Sequence, residues 1–175
     1  TILGDESLSK RPMGRIIKPL MKNGAVFDDA SNDNLPIKIK GSKIPLPIEY
    51  ISPVASAQIK SSILLAGLSS TGHTTVIEPT LSRDHTERML KYLGAKIHTT
   101  LLPNNFWKIT LEGLPSLKPR DIEVPSDPSS AAFPLVASII TPNSSIKVLN
   151  VCVNDLRMGL YDSLIDMGAN ISFSN

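Results

Sequence analysis

Ser56 and Gln58, two polar hydrogen-bonding residues two positions apart, open a stretch that then turns apolar: Pro53-Val54-Ala55-Ser56-Ala57-Gln58-Ile59-Lys60-Ser61-Ser62-Ile63-Leu64-Leu65-Ala66. The pattern predicts a buried helix whose first turn faces a polar ligand. At a helix start a serine hydroxyl lies beside unpaired backbone N–H groups, and the positive end of the helix dipole favours an anion such as a phosphate. A serine in that position is also commonly no more than an N-cap, so the chemistry has to be sought in its company. Arg11, before the helix-starting Pro12, and Arg83, before Asp84, are the next candidates. An arginine fork satisfies two oxygens of a carboxylate or phosphate at once. Arg11 also reads as a solvated charge. Arg83, in a first helical turn where a cation opposes the dipole, calls more strongly for an anionic partner. Asp127, followed by Pro128, reads equally as an N-cap with proline at the first helical position and as part of a site.

Composition limits where such an anion is held. With 18 basic and 16 acidic residues the net charge is +2, which supplies no broad field for nucleic acid or a membrane surface. An anion must therefore be bound locally. Aromatic residues make up 5%, too few for a stacking platform on single-stranded nucleic acid. Cys152 is the single cysteine, so an intrachain disulfide is excluded and a reducing, cytoplasmic setting is expected. The apolar run from Ala131 to Ile140 is interrupted by Pro134 and is too short to cross a bilayer. Thr1-Ile2-Leu3-Gly4-Asp5 has neither the basic region nor the apolar core of a signal peptide.

The elements that position these residues recur. Three segments close on the same dipeptide, Gly24-Ala25, Gly94-Ala95 and Gly168-Ala169, spaced 70 and 74 residues apart. Before each, apolar residues fall at helical intervals: Ile16, Ile17 and Leu20; Met89, Leu90 and Leu93; Leu160, Leu164 and Met167. Each therefore predicts an amphipathic helix that ends on a left-handed glycine and runs into a strand. In a second register, Ser56 and Gln58 precede Asp127 and Ser129 by 71 residues, and Gly41 precedes Gly113 by 72.

One complete unit, from about Ile48 to Glu112, reads as strand, buried helix, strand, amphipathic helix, strand, strand. Its strands are expected at Ile48 to Ser52, Thr74 to Glu78, Ala95 to Leu101 and Phe106 to Leu111. The turn Pro103-Asn104-Asn105 carries suitable chemistry between the last two. The helix from Ala55 and that from Ser129 to Ile140 are apolar all round and are expected inside the fold. The helix from Asp84 is expected to turn Asp84, Glu87, Arg88 and Lys91 to water. The chain begins and ends in mid-pattern, which predicts a piece of a longer protein.

With repeat and helix start in place, the chain resembles the 5-enolpyruvylshikimate-3-phosphate synthase family over all 175 residues. The carriers are Ser9-Lys10-Arg11-Pro12-Met13, Ser56-Ala57-Gln58-Ile59-Lys60, Ser82-Arg83-Asp84-His85-Thr86-Glu87 and Asp127-Pro128-Ser129-Ser130-Ala131-Ala132-Phe133. The Ser-Ala-Gln form and the Arg83 element are most similar to the bacterial subgroup often called class II. The resemblance implies an inside-out α/β barrel of repeated βαβαββ units with buried helices. It implies transfer of the enolpyruvyl group of phosphoenolpyruvate to the 5-hydroxyl of shikimate 3-phosphate, releasing phosphate, with no metal and no organic cofactor.

Residue by residue, the resemblance implies that Arg11 and Gln58 bind phosphoenolpyruvate and that Ser56, Ala57, Gln58 and Arg83 bind shikimate 3-phosphate. Asp127 falls in the family's interdomain region. Residues 1–122 are expected to belong to the first substrate domain, and 123–175 to cross a hinge and begin the second. The family's acid and base residues lie outside this segment, so the isolated chain is expected to be inactive and its parent to be a monomeric cytoplasmic enzyme. Ser126 stands where the family usually has glycine, and Asn154-Asp155-Leu156-Arg157 lacks the family's proline after asparagine.

The competing functions are a UDP-N-acetylglucosamine enolpyruvyl transferase, whose helix-opening signature differs from Ser56-Ala57-Gln58, and a non-catalytic anion-binding fragment. His85-Thr86-Glu87 has the form of a zinc-deaminase motif, but no Pro-Cys-x-x-Cys follows. His73, His85 and His98 are accordingly expected to be structural or solvated.

Overall fold

The computed structural model describes residues 1–174. By contacts it divides into two compact units, one of Thr1–Pro119 and one from Arg120 onward.

The first unit begins with α1 (Glu6–Ser9), capped by Asp5 Oδ1 accepting from Leu8 N at 2.7 Å, and α2 (Gly14–Lys22). A small antiparallel pair follows, β1 (Val26–Phe27) with β2 (Ile39–Lys40), closing a cluster of Ile17, Leu35 and Ile37 against Met13 and Phe27. Just before β2, Ile37 forms an isolated antiparallel bridge with Ile2.

The expected βαβαββ unit then appears in full as β3 (Glu49–Ile51), α3 (Ala57–Gly67), β4 (His73–Glu78), α4 (His85–Tyr92), β5 (Ile97–Leu101) and β6 (Trp107–Glu112). The sheet order is β3-β4-β6-β5. β3 runs parallel to β4, and β6 runs antiparallel to both β4 and β5. The three strands entered through longer connections thus share one direction, and the hairpin-linked β6 opposes them. Asn105 has φ 62°, and Asn104 Oδ1 accepts from Phe106 N at 3.2 Å, so the hairpin turn uses the asparagines as expected.

The core of this unit joins Ile59, Ile63 and Leu64 of α3, Val76 of β4, Leu90 of α4, Ala95, Ile97 of β5, and Ile109 and Leu111 of β6. α3 lies over β4 and β6 and also packs against α2. Gly67 sits where a Cβ would come within 2.7 Å of Thr74, which lets α3 approach β4 closely. Gly24, Gly94 and Gly168 have φ of 102°, 100° and 96°, the left-handed conformation expected from the repeat.

The second unit holds α5 (Pro128–Ile140), a 3₁₀ turn (Asp155–Arg157) and α6 (Gly159–Asp166). Here two expectations are corrected. α5 buries only Pro128, Ala131 and Ala132, while Phe133 is 80% and Ile140 75% exposed. A helix buries only the faces that have partners, and α5 meets one in this unit mainly at its first turn, where Pro128 O accepts from the buried Tyr161 hydroxyl at 2.8 Å. The strand expected after Gly168-Ala169 is also absent among the described residues. The one ladder contact of this unit among them is a bridge between Ser126 and Val151, so residues after Ala169 have no strand to pair with.

Candidate functional site

The parallel register of β3 and β4, with Glu49 opposite Thr75 and Ile51 opposite Ile77, makes both strands end on the same side of the sheet. Each then feeds a loop and a helix N-terminus, β3 into α3 and β4 into α4. Ser52 is buried, its N–H donates to Ile77 O at 2.7 Å, and its hydroxyl donates to Val54 O at 2.7 Å, which ties the first loop to the end of β4.

Ser56 leaves the helix in extended geometry (φ −145°, ψ 110°) and is the N-cap of α3. Its Oγ accepts from Ile59 N at 3.5 Å, the long limit for such a bond, so the hydroxyl is only weakly engaged. Lys60 N donates to Ser56 O at 3.0 Å as the first bond of the helix, leaving the Ala57 and Gln58 N–H groups without acceptors inside it. Gln58 is exposed, and its Oε1 accepts from Arg15 Nη1 of α2 at 3.4 Å. Three of the expected binding residues thus form one polar turn at the open end of an otherwise apolar helix.

Arg83 lies in the loop before α4, exposed, with no hydrogen bond or ion pair to its guanidinium among the described residues. The loop itself is held from beneath. Lys60, wholly buried, donates from Nζ to Glu78 Oε1 at 2.9 Å and to Ser82 O at 3.0 Å, and pairs with Glu87 Oε1 at 2.7 Å. Glu78, also wholly buried, accepts from Ser82 N at 2.9 Å through Oε1 and from the Ser82 hydroxyl at 2.7 Å through Oε2. Ser61 and Thr86 join α3 to α4 through their hydroxyls at 2.7 Å. The first turn of α3 and the Ser82–Arg83 loop are therefore fixed to each other through one lysine and its two carboxylates.

The charge in this cluster is uneven, two carboxylates to one ammonium. Glu87 carries the imbalance: burial pushes its carboxyl above the ordinary value, an effect the Lys60 ammonium offsets only in part. Neither Glu87 oxygen is aligned for a hydrogen bond, although one lies within ion-pair distance of Lys60.

Arg11 stands between α1 and α2, exposed. Its backbone N–H donates to Leu8 O at 3.1 Å and its carbonyl accepts from Asn34 Nδ2 at 3.4 Å, whereas its guanidinium has no partner among the described residues. The arginine that touches the α3 turn is Arg15, four residues on. Asp127 belongs to the second unit, where it caps α5. Its Oδ2 accepts from Ser130 N at 2.9 Å and Ser130 Oγ at 3.0 Å, and its Oδ1 pairs with Arg157 Nη2 at 2.7 Å, which also donates to Ser129 Oγ at 2.8 Å. The Ser130 side-chain bond, helped by its N–H and by Arg157, holds the Asp127 carboxyl below its ordinary value. The capping function expected of Asp127-Pro128 is present.

Lys60, Glu78 and Glu87 escape a reading of residue types, and Glu87 corrects the expectation that it faces water: it is 7% exposed. The spacing carried a signal. Glu87 lies one turn before the buried Leu90, and Lys60 lies on the same stripe as Ile63, Leu64 and Gly67. Charges on a buried stripe require partners. Among the described residues no group of three or more His, Cys, Asp or Glu is arranged to hold a metal ion, and no helix is long and apolar enough to cross a membrane.

Residues 1–175 match the family described as EPSP synthase (3-phosphoshikimate 1-carboxyvinyltransferase). The 3-phosphoshikimate 1-carboxyvinyltransferase of Parvibaculum lavamentivorans is 52% identical over 175 residues, covering 100% of this chain and 39% of its own. That of Paracoccus denitrificans is 51% identical, with the same coverage of 100% and 39%. A solved EPSP synthase from Acinetobacter baumannii superposes with a TM-score of 0.81 at 44% identity, covering 99% of this chain and 38% of that one. The chain spans about two-fifths of the length of these relatives.

Proposed function

The chain belongs to the EPSP synthase family, and from that premise we propose that it supplies the substrate-holding part of an enzyme that transfers the enolpyruvyl group of phosphoenolpyruvate to the 5-hydroxyl of shikimate 3-phosphate, releasing phosphate. In this assignment the Ser56 hydroxyl, the Ala57 and Gln58 N–H groups and the Arg83 guanidinium receive the phosphate of shikimate 3-phosphate. The Gln58 amide lies near both substrates, and Arg11 grips phosphoenolpyruvate. Residues 1–122 belong to the first substrate domain and 123–175 to the crossing into the second. The enzyme works in the cytoplasm as a monomer without metal or organic cofactor, and the acid and base of the transfer come from outside this segment.

The supporting observation is the shared sheet end. Parallel β3 and β4 carry the open N-terminus of α3 and the Ser82–Arg83 loop to the same side, and Lys60 joins them through Ser82 O at 3.0 Å. A helix start presents N–H donors to an anion, and a guanidinium with no protein partner adds the complementary charge. Arg83 has that freedom among the described residues.

Calorimetric titration of shikimate 3-phosphate into the full-length protein, with and without Arg83→Ala, tests the assignment. Loss of a hydrogen bond to a charged group is worth about 1.5–3 kcal/mol, so the dissociation constant should rise by about tenfold or more. Equal affinity in the two proteins would remove Arg83 from the site.

A further inference from the structure

The buried Lys60–Glu78–Glu87 cluster sits under the site without reaching its surface, yet its hydrogen bonds converge on one residue, Ser82, immediately before Arg83. Glu78 takes the Ser82 N–H and hydroxyl, and Lys60 takes the Ser82 carbonyl. All the polar groups of Ser82 are thereby engaged. We infer that Lys60 and Glu78 are positioning residues that clamp Ser82 and so hold Arg83 in register with the first turn of α3, ready for an anion. The inference deepens the assignment of Arg83 to the phosphate of shikimate 3-phosphate and rests on it.

Such a clamp acts by preorganisation. An exposed arginine in a loop loses side-chain and backbone freedom when it binds, and that cost is subtracted from affinity. A clamp at the preceding residue restricts the backbone beforehand, so less is lost at the moment of binding. The pairing of Lys60 with Glu78 also fits the site's electrostatics. A lone ammonium in the first turn of α3 would oppose the helix dipole, and a lone carboxylate there would repel a phosphate. Paired and wholly buried, Lys60 and Glu78 do neither, while Lys60 connects the two structural pieces of the site, α3 and the loop after β4.

Ser82→Ala is the mild perturbation, because it deletes a single bond to Glu78 and adds no bulk. In the full-length protein it should weaken shikimate 3-phosphate binding about three- to tenfold, the range for one lost hydrogen bond, with the Michaelis constant for phosphoenolpyruvate changed less than about twofold. Ser82→Thr, which keeps the hydroxyl, should restore most of the affinity. The decisive measurement is the cycle with Arg83→Ala. If the clamp acts through Arg83, Ser82→Ala costs no further affinity once Arg83 is gone. Additive losses would overturn the clamp while leaving Arg83 in the site. A Ser82→Ala protein that unfolds more easily but binds normally would likewise reduce the cluster to a structural role. Unchanged affinity in Arg83→Ala alone would defeat both the clamp and the assignment beneath it.

Discussion

Lys60→Met tests the buried cluster most directly, since methionine keeps an unbranched apolar stem and removes only the ammonium. In the folded chain Lys60 is fully buried and neutralises Glu78, also buried, while pairing with Glu87. Removing one partner of a buried ion pair costs about 3–5 kcal/mol, because the remaining charge is left in a poor solvent for it. Here two carboxylates remain. Glu78 keeps its two bonds from Ser82, whereas Glu87 keeps none aligned. Against a typical domain stability of about 5–15 kcal/mol, the loss is a large share.

The pH dependence of that loss gives the sharper test. Burial already holds the Glu87 carboxyl above its ordinary value, and without Lys60 the ammonium that offsets this is gone, so it moves further up. A group whose folded pKa is raised contributes stability fully present below its unfolded pKa and lost as pH rises through the folded one. The variant should therefore be closer to the wild type near pH 5 than near pH 8. Urea denaturation followed by Trp107 fluorescence suits the measurement. Trp107 is the single tryptophan and packs against the core that contains Ile59 and Ile63 of α3. A change below about 1 kcal/mol that is equal at both pH values would refute the view of Lys60 as the neutralising centre of this cluster.

Three further outcomes are expected. Glu87→Gln removes a carboxyl that burial raises above the ordinary glutamate value, so the decline in wild-type stability as pH rises above the ordinary glutamate range should flatten in the variant, as a series of urea midpoints would show. Gly113→Ala would drive a Cβ into the Ser70 backbone carbonyl, which cannot swing away, and should cost about 1–3 kcal/mol in the same assay. In the full-length protein Arg11→Ala should lower kcat/KM for phosphoenolpyruvate at least about tenfold, or about 1.4 kcal/mol, with shikimate 3-phosphate affinity nearly unchanged; normal kinetics would take Arg11 out of the site.

The repeat was legible because its signals are local. A left-handed glycine ends a helix wherever it sits, so Gly24, Gly94 and Gly168 marked three helix ends without reference to the rest of the chain. The 71-residue offset likewise located two helix starts, and both Ser56 and Asp127 are N-caps. That correspondence also distinguishes them chemically. Ser56 caps weakly with a neutral hydroxyl, whereas Asp127 fills its helix end with a carboxylate already paired with Arg157. Of the two helix ends, the second already holds an ion pair and the first does not.

What escaped the sequence depended on long-range partners. Lys60 meets Glu78 and Glu87 across 18 and 27 residues, and neither residue type nor local propensity specifies such a meeting. Glu87 is expected to face water on its polarity, although its place one turn before Leu90 puts it on the buried stripe. α3 and α5 carry the limit further, because both are apolar all round and the same pattern predicted burial for both. α3 finds β4 and β6 beneath it and α2 beside it, and it buries Ile59, Ile63, Leu64 and even a lysine. α5 finds one partner surface in its unit and exposes Phe133 and Ile140. An all-round apolar helix thus states a capacity for burial, and only the elements packed around it decide how much of that capacity is used.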